Sequence, residues 1–337
     1  MKISASVQTL HPKSVFRISR GARTEVQNVF VRVEAGGITG LGEASPNAFY
    51  GETAEGVISQ LAKAAPRLAG LDLCAASGAA SGIAEIGRVW EELWPVLAPS
   101  RAAQCGLDLA LWDWLAQKRE TTVCELAHGH RLQPIPTFVT LGLSDPEELA
   151  AKVEPIADWP LIKIKSDAAA DLRPIAFVRE HCSARLAIDA NCAWPSQELP
   201  ALAEALAELG ALFLEQPLAP GTEFPELALP VMADESCVAK EDLERLPDCF
   251  WGFNIKLVKC GGLTPALHMA RRGRQLGLKT MVGCMLESSL LISAGAVVAQ
   301  KTDFADLDGS WLLRDEPFNR VRIEKGILER PPCRRPL

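Results

Sequence analysis

The chain has 337 residues, 48% of them hydrophobic and 23% charged, with a formal net charge of −7. This length exceeds the size at which one hydrophobic core usually stops growing, so two domains, or one barrel with an attachment, are expected. The acidic balance, with no run of lysines and arginines interleaved with aromatics, excludes a nucleic-acid surface; apolar stretches such as 290–299 are too short to span a bilayer, and Met1-Lys2-Ile3-Ser4 opens no signal pattern, which predicts a cytoplasmic protein without a membrane partner.

In chain order, alternating strands are expected at 2–9, 28–35 and 38–43, the last two joined through a Gly36-Gly37 hairpin turn. Helices follow at 53–68 and 102–118, the second carrying Leu107, Leu111, Trp114 and Leu115 on one stripe. These elements form a small α+β unit. The spaced glycines of 37–42 do not form a nucleotide loop, because no helix opens after them. From Pro134 the pattern changes to short apolar strands at 135–141, 161–165, 186–191, 212–215, 231–235, 253–257, 279–283 and 304–308. Helices are expected between them at 146–154, 171–181, 198–210, 240–246, 265–276 and 289–300. Eight parallel strands in under two hundred residues predict a closed α/β barrel rather than an open sheet. The expected domains are 1–112, completed by the tail 312–337, and the barrel 113–311; a strand at 321–324 is expected to return to the first domain. The ten cysteines, scattered from Cys74 to Cys333 with no Cys-x-x-Cys pair, read as small buried thiols; Cys192, Cys237, Cys260 and Cys284 are taken as packing residues.

Active sites of β/α barrels form at the carboxyl ends of the strands. Here successive strands end in Lys163-Ile164-Lys165, Asp189-Ala190-Asn191, Glu215-Gln216-Pro217, Asp234-Glu235-Ser236 and Asn254-Ile255-Lys256. Steps of 24, 26, 19 and 22 residues separate Lys165, Asp189, Glu215, Asp234 and Lys256, one βα unit each. Residues two apart share a face, which points Lys163 and Lys165, and Asp189 and Asn191, into the barrel. Three ionised carboxylates about 5 Å apart repel by about 3 kcal/mol per pair at an effective dielectric of about 20, a cost that a bound cation removes. Oxygen-only ligands favour magnesium over zinc, one ion held by Asp189, Glu215 and Asp234. Lys163 and the metal are expected to lower the pKa of Lys165, and the metal that of Lys256, so that both exchange protons near neutrality. A substrate carboxylate on the metal would be stabilised as an enediolate when the adjacent carbon loses its proton. Lysines from the second and sixth strands then act on opposite faces, the geometry of an epimerase.

These motifs, continuing through Leu257-Val258-Lys259-Cys260-Gly261-Gly262, resemble those of the enolase superfamily, specifically its muconate-lactonizing-enzyme subgroup. The resemblance implies a modified (β/α)7β TIM-like barrel with an N-terminal α+β capping domain, catalytic Lys163, Lys165 and Lys256, and one Mg2+. Within the subgroup the chain is most similar to dipeptide epimerases, with L-Ala-D/L-Glu as leading substrate. That similarity implies that Asp306 and Asp308, in Asp306-Leu307-Asp308-Gly309, bind the α-ammonium of a dipeptide; two same-face carboxylates there would attract an ammonium and repel a dianion. Thr137 and Met285 are expected to meet the substrate, and Glu235 to hydrogen-bond Lys256 or its neighbours. Two cap loops, 16–24 and 46–52, are expected to set specificity, with either Arg20 or Arg23 holding a side-chain carboxylate. An N-acylamino acid racemase, a cycloisomerase and a non-catalytic binding barrel are the alternatives, and the sequence leaves monomer or homo-oligomer open.

Overall fold

The computed structural model describes residues 1–70 and 79–330. The first unit contains β1 (Lys2–Leu10), a small hairpin of β2 (Phe16–Ile18) and β3 (Gly21–Arg23), β4 (Val26–Ala35) and β5 (Ile38–Ala44), followed by α1 (Ala54–Ala69), α2 (Ala79–Leu97), α3 (Arg101–Lys118) and α4 (Val123–His128). β1, β4 and β5 form one antiparallel sheet. Alternation turns Val29, Val31 and Val33 of β4 to one buried face. Gly36 and Gly37 make the expected hairpin turn with φ of 58° and 77°, a left-handed pair that glycine adopts without strain. Gly40 and Gly42 lie against α3, where a Cβ would come within 2.1 Å of the Ala110 carbonyl or 2.0 Å of the Gly106 carbonyl. Their spacing therefore serves sheet-on-helix packing. α3 runs unbroken through the expected boundary at residue 112.

After the two-residue β6 (Ile135–Pro136) the barrel begins. Its elements are β7 (Val139–Leu141), α5 (Pro146–Val153), β8 (Leu161–Lys165), α6 (Arg173–His181), β9 (Arg185–Asp189), α7 (Leu199–Glu208), β10 (Ala211–Glu215), β11 (Val231–Ala233), β12 (Phe250–Lys256), α8 (Leu257–Cys260), α9 (Leu263–Gln275), β13 (Lys279–Gly283), α10 (Ser289–Ala299) and β14 (Phe304–Asp306). Strands β7 to β14 pair in sequence order, all parallel. The ring is drawn nearly closed where Phe138 N–H donates to the Ala305 carbonyl at 2.9 Å and Leu307 N–H donates to Thr137 Oγ1 at 2.8 Å. Phe138, Ala187, Phe213, Met232 and Met281 fill its floor. Ala187, Phe213 and Met281 stand two residues before Asp189, Glu215 and Gly283, so the charged layer rests on a largely apolar one that Lys163, in register with Ala187, enters.

Three expectations need correction. The strand expected at 135–141 is split, because Ile135–Pro136 leaves the barrel to pair with a tail strand, and proline cannot donate to a barrel ladder. The helix expected at 240–246 is a 3-10 turn at Lys240–Arg245, with Asp242 accepting the backbone amides of Val238 and Ala239 at its start. The tail divides: Leu312–Asp315 bonds to His11 and Lys13 beside the cap sheet, whereas β15 (Arg322–Glu324) and β16 (Ile327–Glu329) form a three-stranded sheet with β6. Cys74 and Cys333 lie outside the described residues; of the other eight, five are buried, Cys192 and Cys284 are intermediate and Cys249 is exposed. Among the described residues no helix is long and apolar enough to cross a membrane.

Candidate active site

Strand register assembles the site. Lys165 stands beside Asp189 and Asp189 beside Glu215, while Lys256 stands beside Gly283 and Gly283 beside Asp306. Two charged rows thus share the carboxyl end of the barrel, and Asp234 follows β11 between them. Lys163, one layer lower, joins the rows: its ammonium contacts Asp306, Glu215 Oε2 at 3.2 Å and Asp189 Oδ2 at 3.7 Å. Lys165 donates to Asp189 Oδ2 at 2.5 Å, and Lys256 to Asp234 Oδ2 at 2.7 Å.

Burial and pairing oppose each other throughout this layer. Burial raises Asp234, but Lys256 and Lys259 overcome it and hold that carboxylate far below its ordinary range. Asp189 is likewise lowered, burial being outweighed by Lys165 and Lys163. Glu215 goes the other way: burial and the charge of Asp189 push it up to about 7. Burial lowers Lys163 and Lys256, yet the surrounding carboxylates win and keep both well above the usual lysine value. For Lys256 this is opposite to the expected lowering, which depends on a cation's charge and does not come from protein groups alone.

As the side chains lie, no three His, Cys, Asp or Glu groups among the described residues converge tightly enough to hold an ion, because lysine amines are inserted among the carboxylates. The donor chemistry nevertheless fits a hard divalent cation. Four buried side-chain polar atoms among the described residues lack a hydrogen-bond partner, and three of them, Asn191 Oδ1, Glu235 Oε2 and Asn254 Oδ1, are oxygens of these strand-end residues. Acceptors left without donors around three buried acids suit a positive guest.

The other expected residues separate into two groups. Asp306 and Asp308 are both nearly buried and line a cavity of about 780 Å³ with Lys163, Lys165, Asn191, Lys256 and Met285. Burial and Asp306 push Asp308 up to about 6. Arg23 lines the exposed rim of that cavity, whereas Arg20 reaches inward to Glu235 at 2.7 Å and the Asn191 carbonyl at 3.2 Å, its guanidinium lying 4.3 Å from the centre of the Phe49 ring. Glu235 therefore pairs with Arg20 and not with Lys256, since it leaves the strand on the side opposite Asp234 and meets the cap. Thr137 is fully buried and ties β14 to the start of β7, away from the cavity.

Sequence reasoning missed four contributors. Thr140, not Thr137, faces the cavity: its amide donates to Asp308 Oδ2 at 2.6 Å and its hydroxyl to Asp306 Oδ1 at 3.3 Å. Period-2 alternation from the charged residues of β8 would have singled it out, because Thr140 pairs with Lys163. Lys259, Asn254 and Gln216 hold the acids from behind; Gln216 Oε1 accepts the amides of Asp234 and Ser236 at 2.9 and 3.0 Å. All three stand within the strand-end motifs, but no local sequence signal assigns them this supporting role.

Two family descriptions match the chain: mandelate racemase / muconate lactonizing enzyme, N-terminal domain, over residues 2–127, and enolase C-terminal domain-like over residues 148–334. The L-Ala-D/L-amino acid epimerase of a Maribacter species is 38% identical over 329 residues, covering 96% of this chain and 94% of that one. Among solved structures, an enolase family member from Agrobacterium tumefaciens with homology to dipeptide epimerases, holding sodium and L-Ala-L-Glu, superposes with a TM-score of 0.87 at 35% identity, over 98% of this chain and 97% of that one. The dipeptide epimerase of Methylococcus capsulatus, complexed with Mg and L-Arg-D-Lys, gives 0.86 at 30% identity, over 98% of each chain. With both domain descriptions matched and the strand-end charges in register, the chain belongs to the mandelate racemase / muconate lactonizing enzyme family of the enolase superfamily.

Proposed function

We propose that this protein is a magnesium-dependent dipeptide epimerase that inverts the α-carbon of the C-terminal residue of a dipeptide by two-lysine 1,1-proton transfer, with L-Ala-D/L-Glu as the leading substrate. The observation that carries this reading is the placement of Lys165 and Lys256 on the second and sixth barrel strands, both bordering the cavity that Asp306 and Asp308 also line. Asp189, Glu215 and Asp234 would hold the cation, which supplies positive charge against the negative charge that grows on the substrate carboxylate as the α-proton leaves. One lysine takes the α-proton and the other returns a proton on the opposite face; to do so each turns its amine from its carboxylate partner toward the cavity. Lys163, nearly buried among three acids, stays charged and steadies the developing anion.

Asp306 and Asp308 present negative charge to the free α-ammonium, a preference that a dianionic substrate would not satisfy. Arg20 is engaged by Glu235, which leaves Arg23 at the rim as the cation for a substrate side-chain carboxylate. The similarity to an epimerase acting on L-Ala-D/L-amino acids and to a structure holding L-Ala-L-Glu supports the same substrate class. Proton NMR of L-Ala-L-Xaa and L-Xaa-L-Glu dipeptides in deuterated water with Mg2+ tests the proposal: α-proton exchange at the C-terminal residue is expected, and its absence from every member would end it. Replacing Asp306 by Asn should weaken dipeptides far more than N-acyl amino acids. Equal losses would assign Asp306 a structural role and favour an N-acylamino acid racemase.

A further inference from the structure

Each of the three acids has one oxygen held by a donor behind the site and the other turned to a cavity-side lysine. Asp189 Oδ1 accepts the Asn191 amide at 2.9 Å, Glu215 Oε1 accepts Asn254 Nδ2 at 2.7 Å, and Asp234 Oδ1 accepts Lys259 Nζ at 2.5 Å. The second oxygen of each, Asp189 Oδ2, Glu215 Oε2 and Asp234 Oδ2, faces only the ammonium groups of Lys165, Lys163 and Lys256. Lys259 is fully buried, and its ammonium also contacts the carbonyls of Asp234, Cys237 and Asn254 at 2.7 to 3.1 Å. Asp234 is the one charged group among the four oxygen neighbours of this buried ammonium, so releasing Asp234 Oδ1 would leave a buried charge without its counter-charge. The carbonyl of Asn254 ties the two side-chain donors into one network behind the acids.

We infer that Lys259, with Asn254 and the Asn191 amide, is a clamp that leaves each acid a single oxygen for metal, and that this clamp makes the site choose Mg2+ over Ca2+. This rests on the metal-site reading proposed above. A small ion that requires near-octahedral order accepts three single-oxygen ligands and fills the rest of its coordination with water or substrate; Ca2+ gains from two-oxygen carboxylate ligation and a higher ligand number. Clamping one oxygen of every acid withholds that gain. Lys259 is thus a positioning residue that acts through Asp234, and donors behind metal ligands commonly change affinity about 10-fold to 100-fold when removed.

Calorimetric titration of the full chain with Mg2+ and with Ca2+ separates denticity from charge. Loss of the Lys259 charge acts on both divalent ions alike and cancels in their affinity ratio, so the ratio reads the clamp. The wild type should prefer Mg2+, and Lys259→Gln should reduce that preference about tenfold or more. Asn254→Ala removes a neutral donor, keeps Lys259, and should shift the ratio in the same direction, which decides the matter if Lys259→Gln fails to fold. Variants that alter both affinities while leaving the ratio unchanged overturn the clamp but not the metal site. A wild type that binds neither ion overturns the metal reading itself.

Discussion

Lys165 and Lys256 make equivalent contacts, one amine on one carboxylate oxygen, from opposite sides of the barrel. Their roles should therefore separate by stereochemistry. Lys165→Ala is expected to remove α-proton exchange from one face by about 100-fold or more while sparing the other, and Lys256→Ala should show the reverse. Chiral analysis of deuterium incorporation in each variant measures this, and equal residual rates on both faces would contradict the two-base assignment. These lysines and the three acids were legible in the sequence because each ends a short apolar strand at a regular interval. Their partners were not. Lys259 reads as one more polar residue in a glycine-bounded turn, and Gln216 as the neighbour of Glu215; only the long-range contacts of Lys259 with Asp234, and of Gln216 with Asp234 and Ser236, give them meaning.

The hairpin of β2 and β3 is the element that joins cap to barrel mouth, and it was not foreseen, since three-residue strands leave too little alternation to detect. Its turn carries Arg20 onto Glu235 and is backed by Phe49 from the other cap loop. Arg20→Met should free this hairpin, raising KM for dipeptides with a smaller effect on kcat, whereas an equal fall in kcat and kcat/KM would place Arg20 in the chemistry; steady-state kinetics distinguishes them. The turn leading into α10 holds Glu287, which burial, followed by the nearby Glu43, pushes up to about 8, with Lys256 as the opposing charge. The unfolded value is about 4.3, so the folded protein binds the extra proton between these limits. Stability from this group is complete below about pH 4 and declines as pH rises toward about 8. Glu287→Gln mimics the protonated form at every pH. Urea midpoints should show the variant gaining on the wild type from pH 5 to pH 8, to the order of a few kcal/mol at most; a constant difference would mean that Glu287 is not protonated in the fold.

At the scale of the whole chain, cap and barrel share one apolar core, running from Val29, Val31 and Leu61 through Trp112 to Phe253, Leu291 and Val298. A polar contact crosses the same boundary. Glu43, at the end of β5, accepts the Asn28 side chain at 2.7 Å, the Ser288 amide at 3.0 Å and the Leu291 amide at 3.3 Å, as well as the Ser288 hydroxyl. A cap-domain carboxylate thereby closes the N-terminus of a barrel helix, whose first amides have no partner within the helix. Neither unit can come apart without exposing the shared core and stripping α10 of its cap, so both should unfold together. Scanning calorimetry is expected to give one transition with matching calorimetric and van't Hoff enthalpies. Glu43→Ala strands two buried backbone amides and should cost about 1–3 kcal/mol, lowering Tm by a few degrees without splitting the transition. Two resolved transitions in the wild type would show that the common core does not couple the cap to the barrel, and would leave the closed cavity to be formed by substrate.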